Sequence, residues 1–228
     1  MGYNRLRWLG HSAFEISTVG DKKILIDPWI TGNPKCPVTI DEIEDVDIIL
    51  ITHDHGDHIG QDLPTLASRG NVDIVGQPEI LQKLQEMDVE DGTGMNIGGT
   101  ATVQGIDITM VQAHHSSGYG TPCGYLVKTE DDNIVYHAGD TGIFATMEIL
   151  GDIYDIDVAL LPIGSHFVMD PVQAAYAVSL LEPKIVTPMH YGTFPVLVES
   201  ADEFVELVLQ TSPEVDVRVM KPGRYMDF

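Results

Sequence analysis

The residues most able to do chemistry lie in one short segment of the chain. The segment THDHGDHIG (52–60) holds three histidines and two aspartates within the six positions from His53 to His58. Neutral imidazole and carboxylate groups are ligands for zinc, manganese or iron. In extended backbone, His53 and His55 point to the same side of the chain, while Asp57 and His58, beyond the glycine, can reach a second position close by. The segment therefore predicts most of a metal site, with a solvated polar loop as the alternative.

Three further ligand-type residues follow apolar segments that are typical of strands. His115 ends IDITMVQAHH (106–115), Asp140 follows NIVYHAG, and His190 follows KIVTPM. Because ligands in α/β sheets bind at the carboxyl ends of strands, we expect these side chains to meet near His53. Asp140 has two carboxylate oxygens and can bridge two metal ions roughly 3.5–4 Å apart, the spacing found in two-metal hydrolases. The combined pattern predicts a dinuclear site that activates water.

The elements that must position these residues alternate in type along the chain. Short apolar segments predict strands, and apolar residues at helical spacing predict helices. Predicted strands cover 5–10, 12–18, 22–28, 46–53, 72–76, 106–115, 158–164, 184–190 and 215–223, with a hairpin over 124–140. Predicted helices cover about 62–70, 78–87, 144–151, 171–182 and 201–210.

The order of these elements indicates the fold class. Both halves start with strands and end with alternating strands and helices, which predicts an α/β fold of two similar halves packed sheet on sheet, with helices outside. No low-complexity linker divides the halves, so we expect one domain over 1–228. The glycine-rich segment 93–103 lacks the spacing of a phosphate-binding loop and predicts a hairpin turn instead.

Composition excludes several classes of partner. The 228 residues carry 12 basic and 35 acidic side chains, a net charge of −23, which repels polyanions and predicts no nucleic-acid binding. No apolar segment approaches the roughly 20 residues that span a bilayer, and the N-terminal residues lack the apolar region of a signal peptide. Cys36 and Cys123 are far apart, which argues against a disulfide framework. We therefore expect a cytoplasmic protein without a membrane partner.

The motifs resemble those of the metallo-β-lactamase superfamily. THDHGDHIG matches the HxHxDH motif, and His115, Asp140 and His190 follow in that superfamily's order. The segments WLGHSAFEI, ILIDPWITGNP, YHAGDTGIF, LLPIGSHFVMDP and PMHYGTFP look like a family of metal-dependent hydrolases close to the ascorbate-6-phosphate lactonase branch. The resemblance covers nearly the whole chain and implies an αββα sandwich, with two mixed sheets flanked by helices.

The resemblance also implies a set of ligands for two divalent metal ions. The first metal would be held by His53, His55 and His115, the second by Asp57, His58 and His190, with Asp140 bridging. The family pattern places small hydroxyl residues after the third histidine, which favours His115, followed by two serines, over His114. Zinc is the first choice of metal, with manganese and iron as alternatives.

The implied activity is hydrolysis of a small-molecule ester, lactone or phosphodiester. Asp57 or Asp140 would take the proton of the nucleophile, and His137 or His166 would protonate the leaving group. The same edge holds His11 and Tyr191, while Asp27, in LIDP, would accept a hydrogen bond from a ligand imidazole. Relatives of the lactonase suggest a homo-oligomer. A di-metal redox enzyme and a non-catalytic metal-binding protein are the alternative functions.

The acidic surface gives a prediction about salt. If it reflects adaptation to high salt rather than solubility alone, the free energy of unfolding rises when salt is added, because screening weakens the repulsion among the acidic side chains. Denaturant unfolding curves at low and high salt measure this difference. Equal stability at both concentrations would exclude the adaptation.

Overall fold

The computed structural model describes residues 2–89 and 92–228, so Met1, Glu90 and Asp91 of the predicted domain lie outside the described residues. The strands are β1 (Arg5–Gly10), β2 (Ala13–Ser17), β3 (Lys23–Ile26), β4 (Ile48–Leu50), β5 (Asp73–Gly76), β6 (Thr93–Gly94), β7 (Thr100–Val103), β8 (Ile106–Gln112), β9 (Cys123–Lys128), β10 (Ile134–His137), β11 (Val158–Pro162), β12 (Ile185–Met189), β13 (Asp216–Val217) and β14 (Tyr225–Asp227). The α-helices are α1 (Gly56–Ile59), α2 (Leu63–Ala67), α3 (Pro78–Gln85), α4 (Met147–Ile153), α5 (Pro171–Leu181) and α6 (Asp202–Thr211), and a 3₁₀ turn covers Ile40–Glu42.

The strands form two seven-stranded sheets of equivalent topology. The first has the order β14-β1-β2-β3-β4-β5-β6 and the second β13-β12-β11-β10-β9-β8-β7. In both sheets three antiparallel pairings are followed by three parallel ones, from β3 to β6 and from β10 to β13. The expected α/β fold with two mixed sheets flanked by helices is confirmed. Parallel neighbours end at the same edge, which collects the residues that follow them.

Strand β4 shows why a continuous apolar segment forms a central strand. Ile48 and Leu50 belong to the hydrophobic core between the two sheets. Ile49 belongs to a second core, which contains Leu66 of α2 and Ile80 of α3. Since successive side chains of a strand point to opposite faces, both faces of β4 are buried and neither tolerates polar residues.

Two predictions about the middle of the chain are wrong in detail. The strand over 106–115 ends at Gln112, so His114 and His115 lie in the loop beyond β8. The glycine-rich segment 93–103 does not close a hairpin, because β6 pairs with β5 in the first sheet and β7 pairs with β8 in the second. Its turn therefore carries the chain from one sheet to the other.

The end of the chain also differs from the prediction. The strand over 215–223 is reduced to β13, and the chain then leaves the second sheet. Pro222 lacks the N–H that a strand ladder needs, and Gly223 takes a left-handed conformation with φ +81°. The chain crosses to the first sheet, where β14 pairs antiparallel with β1. Short edge pairings between distant segments leave little signal in the sequence.

One buried hydroxyl ties the sheets together close to the metal-binding motif. The Tyr125 hydroxyl, on β9 of the second sheet, donates a hydrogen bond of 2.7 Å to the carbonyl oxygen of Ile51, the residue after β4 of the first sheet. Ile51 directly precedes Thr52 and His53. In contrast, the hydroxyl of buried Tyr136 has no hydrogen-bond partner within the described residues.

These two tyrosines form a matched pair for a stability test. Tyr125→Phe should lower the free energy of unfolding by about 1–3 kcal/mol, because it removes a buried hydrogen bond. Tyr136→Phe should leave stability unchanged or raise it, because it removes an unpaired buried hydroxyl. Denaturant unfolding of both variants gives the comparison, and equal losses would contradict it.

Candidate metal centre

Six of the seven predicted ligands, together with His11, fall into two candidate groups at one edge of the sandwich. The first group consists of His53, His55 and His115, and the second of His11, Asp57, His58 and His190. Within each group, one ligand-type atom from every residue lies within 4.8 Å of the others. The segment from His53 to His58 contributes to both groups because α1 begins at Gly56 and turns Asp57 and His58 away from the preceding extended residues.

Asp140 connects the two groups through a single oxygen. Its Oδ2 lies 3.5 Å from Nε2 of His115 in the first group. The same oxygen lies 3.3 Å from Nε2 of His58 and 2.9 Å from Nε2 of His190, both in the second group. Asp140 is buried. A carboxylate between two sets of ligands has the position that a bridging ligand requires.

A second buried carboxylate, Asp27, sets the orientation of two of the histidines. It accepts hydrogen bonds from the Thr52 backbone N–H at 2.9 Å and the Thr52 hydroxyl at 2.7 Å. His58 Nδ1 donates to it at 2.7 Å, which is the predicted hydrogen bond between an imidazole and Asp27. The Thr52 hydroxyl has given its proton to Asp27, so its oxygen accepts from His53 Nδ1 at 2.9 Å. In the neutral form, both rings therefore carry their lone pair on Nε2.

The resulting lone pairs test whether a metal ion fits. His58 Nε2 is buried and has no hydrogen-bond partner among the described residues, although it faces the Asp140 carboxylate. His53 Nε2 lies 2.9 Å from His55 Nδ1. The His55 Nδ1–H can donate to that lone pair, but a lone pair on His58 Nε2 repels the Asp140 oxygen 3.3 Å away unless a cation or proton lies between them. The donor set of imidazole nitrogen and carboxylate oxygen suits a divalent transition metal.

The pKa directions agree with this fit. Burial lowers the pKa of His53 to about 2 and that of His11 to about 4, so both rings are neutral. Burial alone would raise the pKa of Asp140, but His190 and His58 hold it well below its usual value. Neutral imidazole and ionised carboxylate are the forms that bind metal.

The pKa of His58 is shifted in the opposite direction. Burial would lower its pKa, but Asp140 and Asp27 on either side raise it well above the usual value. Without metal, the ring therefore carries a second proton. A metal ion at Nε2 must displace that proton, so metal binding to this group releases a proton and becomes stronger as the pH rises.

The backbone is strained where three strands deliver side chains to the site. His11, Asp27 and His190 follow β1, β3 and β12 and have φ angles of +55°, +49° and +57°. Residues with a Cβ rarely adopt this left-handed conformation, which costs about 1–3 kcal/mol at each position. The His190 N–H bonds to the carbonyl of His11, so the two strained strand ends support each other.

The structure places His11 inside the second group. Its ring lies 3.9 Å from the His190 ring, centroid to centroid. Its Nε2 is 3.2 Å from Asp57 Oδ2, and its Nδ1 is 3.0 Å from the Thr193 hydroxyl. Burial would raise the pKa of Asp57, but the hydrogen bond with His11 lowers it overall. The sequence pointed to His11 only through GHSAF, because its contacts depend on strands far apart in the chain.

The two adjacent histidines occupy different positions, and the assignment of His115 as the ligand stays a prediction. His115 joins the first group, whereas His114 is exposed and its ring packs against Phe144 at 5.0 Å. Asp54, between His53 and His55 in the sequence, belongs to neither group of ligands. Its Oδ1 accepts hydrogen bonds from the Ser117 hydroxyl and the Gly118 N–H, both at 2.7 Å, and so anchors the loop after His115.

The two proposed proton donors lie in very different surroundings. His137 is fully buried; Gly139 N–H donates to its Nδ1, and its Nε2 donates to the Ser12 carbonyl. With both nitrogens engaged by backbone, it supports the turn next to Asp140, and its role as an acid stays a prediction. His166 is exposed in the turn after β11 and contacts Phe167, and its role as an acid stays a prediction.

Comparisons with known proteins agree with this geometry. A family model described as a β-lactamase superfamily domain matches residues 22–191. A UPF0173 metal-dependent hydrolase of Caldivirga maquilingensis is 49% identical over 225 residues, covering 98% of this chain and 96% of the relative. One of Methanopyrus kandleri is 46% identical over 228 residues, covering 96% and 97%. The solved structure of Igni18, a metallo hydrolase of Ignicoccus hospitalis, is 40% identical with a TM-score of 0.91, covering 100% of this chain and 99% of that chain.

The fold and the site together define a metal-dependent hydrolase of the metallo-β-lactamase superfamily. Within that class, the chain belongs to the UPF0173 metal-dependent hydrolase family. The superfamily expected from the HxHxDH motif is confirmed, and the closeness to the ascorbate-6-phosphate lactonase branch stays a prediction. No helix among residues 2–89 and 92–228 is long and apolar enough to cross a membrane.

The hydrogen bonds of Asp27 predict a specific loss of metal affinity. Asp27→Asn should weaken metal binding about 10–100-fold, because it disturbs the hydrogen bonds that orient His53 and His58 without removing a ligand. Chelator competition measures the metal dissociation constant. Asp62→Asn is the matched control, since Asp62 is also a buried carboxylate and accepts its bond from Thr31 N–H. Equal losses in both variants would contradict the role of Asp27.

Proposed function

We propose that this hydrolase uses two divalent metal ions, zinc in the first instance, to hydrolyse a small ester or lactone, with a phosphodiester as the alternative substrate. His53, His55 and His115 would hold one metal, and Asp57, His58 and His190 the other. When bound, the metals would supply a water activated near neutral pH and stabilise the oxyanion that develops on the substrate.

One observation carries the proposal of two metals. Asp140 Oδ2 lies within 3.5 Å of imidazole nitrogens from both ligand groups. A single-metal site would need only three or four donors. Here the first group and the second group each supply enough donors for a metal, with one buried carboxylate between them. The arrangement therefore supports a bridging role for Asp140.

The bridging position also separates the two candidate bases. Asp140 is almost completely buried and surrounded by three imidazoles, whereas 27% of the Asp57 side chain is exposed. His11 holds Oδ2 of Asp57, which leaves its other oxygen able to accept a proton from an attacking water. Asp57 is therefore the better candidate for the general base, and Asp140 for the structural bridge.

The substrate is proposed from the resemblance and from charge. The resemblance to the lactonase branch suggests a cyclic ester or a small phosphorylated sugar. A net charge of −23 disfavours large polyanions, so nucleic acids are poor candidates. The site lies at the sheet edge among the loops that follow the strands, a position suited to a small molecule.

Metal content tests the proposal directly. Elemental analysis of the native protein should give two equivalents of metal per chain, and His115→Ala should give about one, because that variant removes one ligand of the first group. His114→Ala is the matched control and should keep two, since its ring lies outside both groups.

Two results would contradict this assignment. Native protein that takes up one equivalent even after incubation with zinc or manganese would exclude the dinuclear site. Loss of the same amount of metal in His114→Ala and His115→Ala would exclude the ligand assignment. Hydrolysis of a neutral p-nitrophenyl ester by the metal-loaded native protein, abolished in Asp57→Asn, tests the activity.

A further inference from the structure

An aromatic wall borders the second ligand group. Only 7% of the residues are aromatic, yet Trp29 and Phe194 both lie at this edge, on the loops that follow β3 and β12. Their rings stack with centroids 5.9 Å apart and an interplanar angle of 20°. Both residues are partly exposed.

The wall is in direct contact with the site. The His11 ring meets Trp29 edge-on at 5.3 Å and Phe194 edge-on at 5.5 Å. The same imidazole bonds to Asp57 and lies against the ring of His190. A group held on the two aromatic rings therefore lies one imidazole ring away from the proposed general base and from a proposed metal ligand.

A third ring stands exposed on a neighbouring loop. Phe167, in the turn after β11, has 54% of its surface exposed. This turn is tied to the residue after Asp140, because Met169 N–H donates to the carbonyl of Thr141. Exposed aromatic rings on loops that surround a polar cluster are typical of a ligand-binding surface.

We propose that Trp29 and Phe194 bind an apolar acyl or alkyl group of a neutral substrate and set the specificity of the enzyme. This inference rests on the proposed function and narrows its substrate class from esters in general to apolar esters and lactones. Apolar rings give no charged partner to a phosphate or carboxylate, and the net charge of −23 repels both. Burial of a hydrocarbon chain against the rings supplies the binding energy.

An anionic substrate would have its own candidate binding residue. The Lys35 ammonium lies close to Gly192, two positions before Phe194, and is the cation that we assign to an anionic substrate in the alternative case. The test must therefore compare an apolar tail with a charged one on the same reactive group.

Hydroxamates make this comparison without requiring turnover. Calorimetry on the zinc-loaded protein would give dissociation constants for acetohydroxamate, octanohydroxamate and a hydroxamate with a terminal carboxylate. We expect octanohydroxamate to bind at least about tenfold more tightly than acetohydroxamate, since each buried methylene contributes up to about fourfold. Tighter binding of the carboxylate-tailed compound than of octanohydroxamate would overturn the proposal in favour of Lys35.

Variants of the two aromatic residues show whether the rings bind the substrate chain or only position His11. Phe194→Ala and Trp29→Ala should remove most of the preference for the long chain, measured as the ratio of the dissociation constants of acetohydroxamate and octanohydroxamate. Tyr176→Ala, an exposed aromatic residue on α5, is the matched control and should keep the preference. If Phe194→Ala weakens both compounds equally, the wall only positions His11 and the proposal is wrong. Trp29→Phe, which retains an aromatic ring, should keep most of the preference.

Ester hydrolysis assays distinguish a failure of the proposed hydrolase function from a failure of the proposed role of the aromatic wall. Native enzyme should hydrolyse p-nitrophenyl hexanoate with a higher kcat/KM than p-nitrophenyl acetate. No hydrolysis of either ester, together with a retained hydroxamate preference, would refute the proposed function and leave the wall intact. If both esters are hydrolysed and Phe194→Ala leaves the ratio of their kcat/KM values unchanged, the role of the wall is refuted and the proposed function stands.

Discussion

The site depends on the buried carboxylate of Asp27. A charge fully removed from water is tolerated only if hydrogen bonds replace its hydration. Asp27 accepts three, from the Thr52 N–H, the Thr52 hydroxyl and His58 Nδ1. Those bonds in turn dictate which nitrogen of His53 and His58 faces inward. The bonds exist because β3 and β4 are parallel neighbours with Ile26 opposite Leu50, so the residues just beyond both strands lie side by side. A shift of register by one residue would turn these side chains to opposite faces and dismantle the network.

Because the two sheets have equivalent topology, an aspartate follows the corresponding strand in each sheet, but the two aspartates have different roles. Strands β3 and β10 occupy the same place in their sheets, and Asp27 and Asp140 follow them. Asp27 lies behind the histidines and orients them, whereas Asp140 lies among them and links both ligand groups. Histidines likewise follow the corresponding strands β1 and β8. The same sheet topology thus supplies Asp27, which orients the histidines, from one half and Asp140, which lies among them, from the other.

Much of this site could be predicted from the sequence, because its strongest signals are local. The segment from His53 to His58 and the ligand types after β10 and β12 are visible without knowledge of the fold. The place of His11 is not, because it depends on a left-handed backbone and on a contact with His190 at the far end of the chain. The early end of β8 and the pairing of β14 with β1 are likewise set by tertiary contacts, which override local preference. The engagement of both His137 nitrogens by backbone was also invisible in the sequence.

The pairing of β14 with β1 has a consequence for the order of folding. The first sheet uses residues from both extremes of the described chain, with Arg5 opposite Asp227. During synthesis, β1 leaves the ribosome early but its outer edge has no partner until β14 has emerged. The strand that leads to His11 therefore waits with an open edge while the whole second sheet is made. Such a long-range pairing slows folding and leaves the outer edge of β1 exposed to other chains until β14 is available.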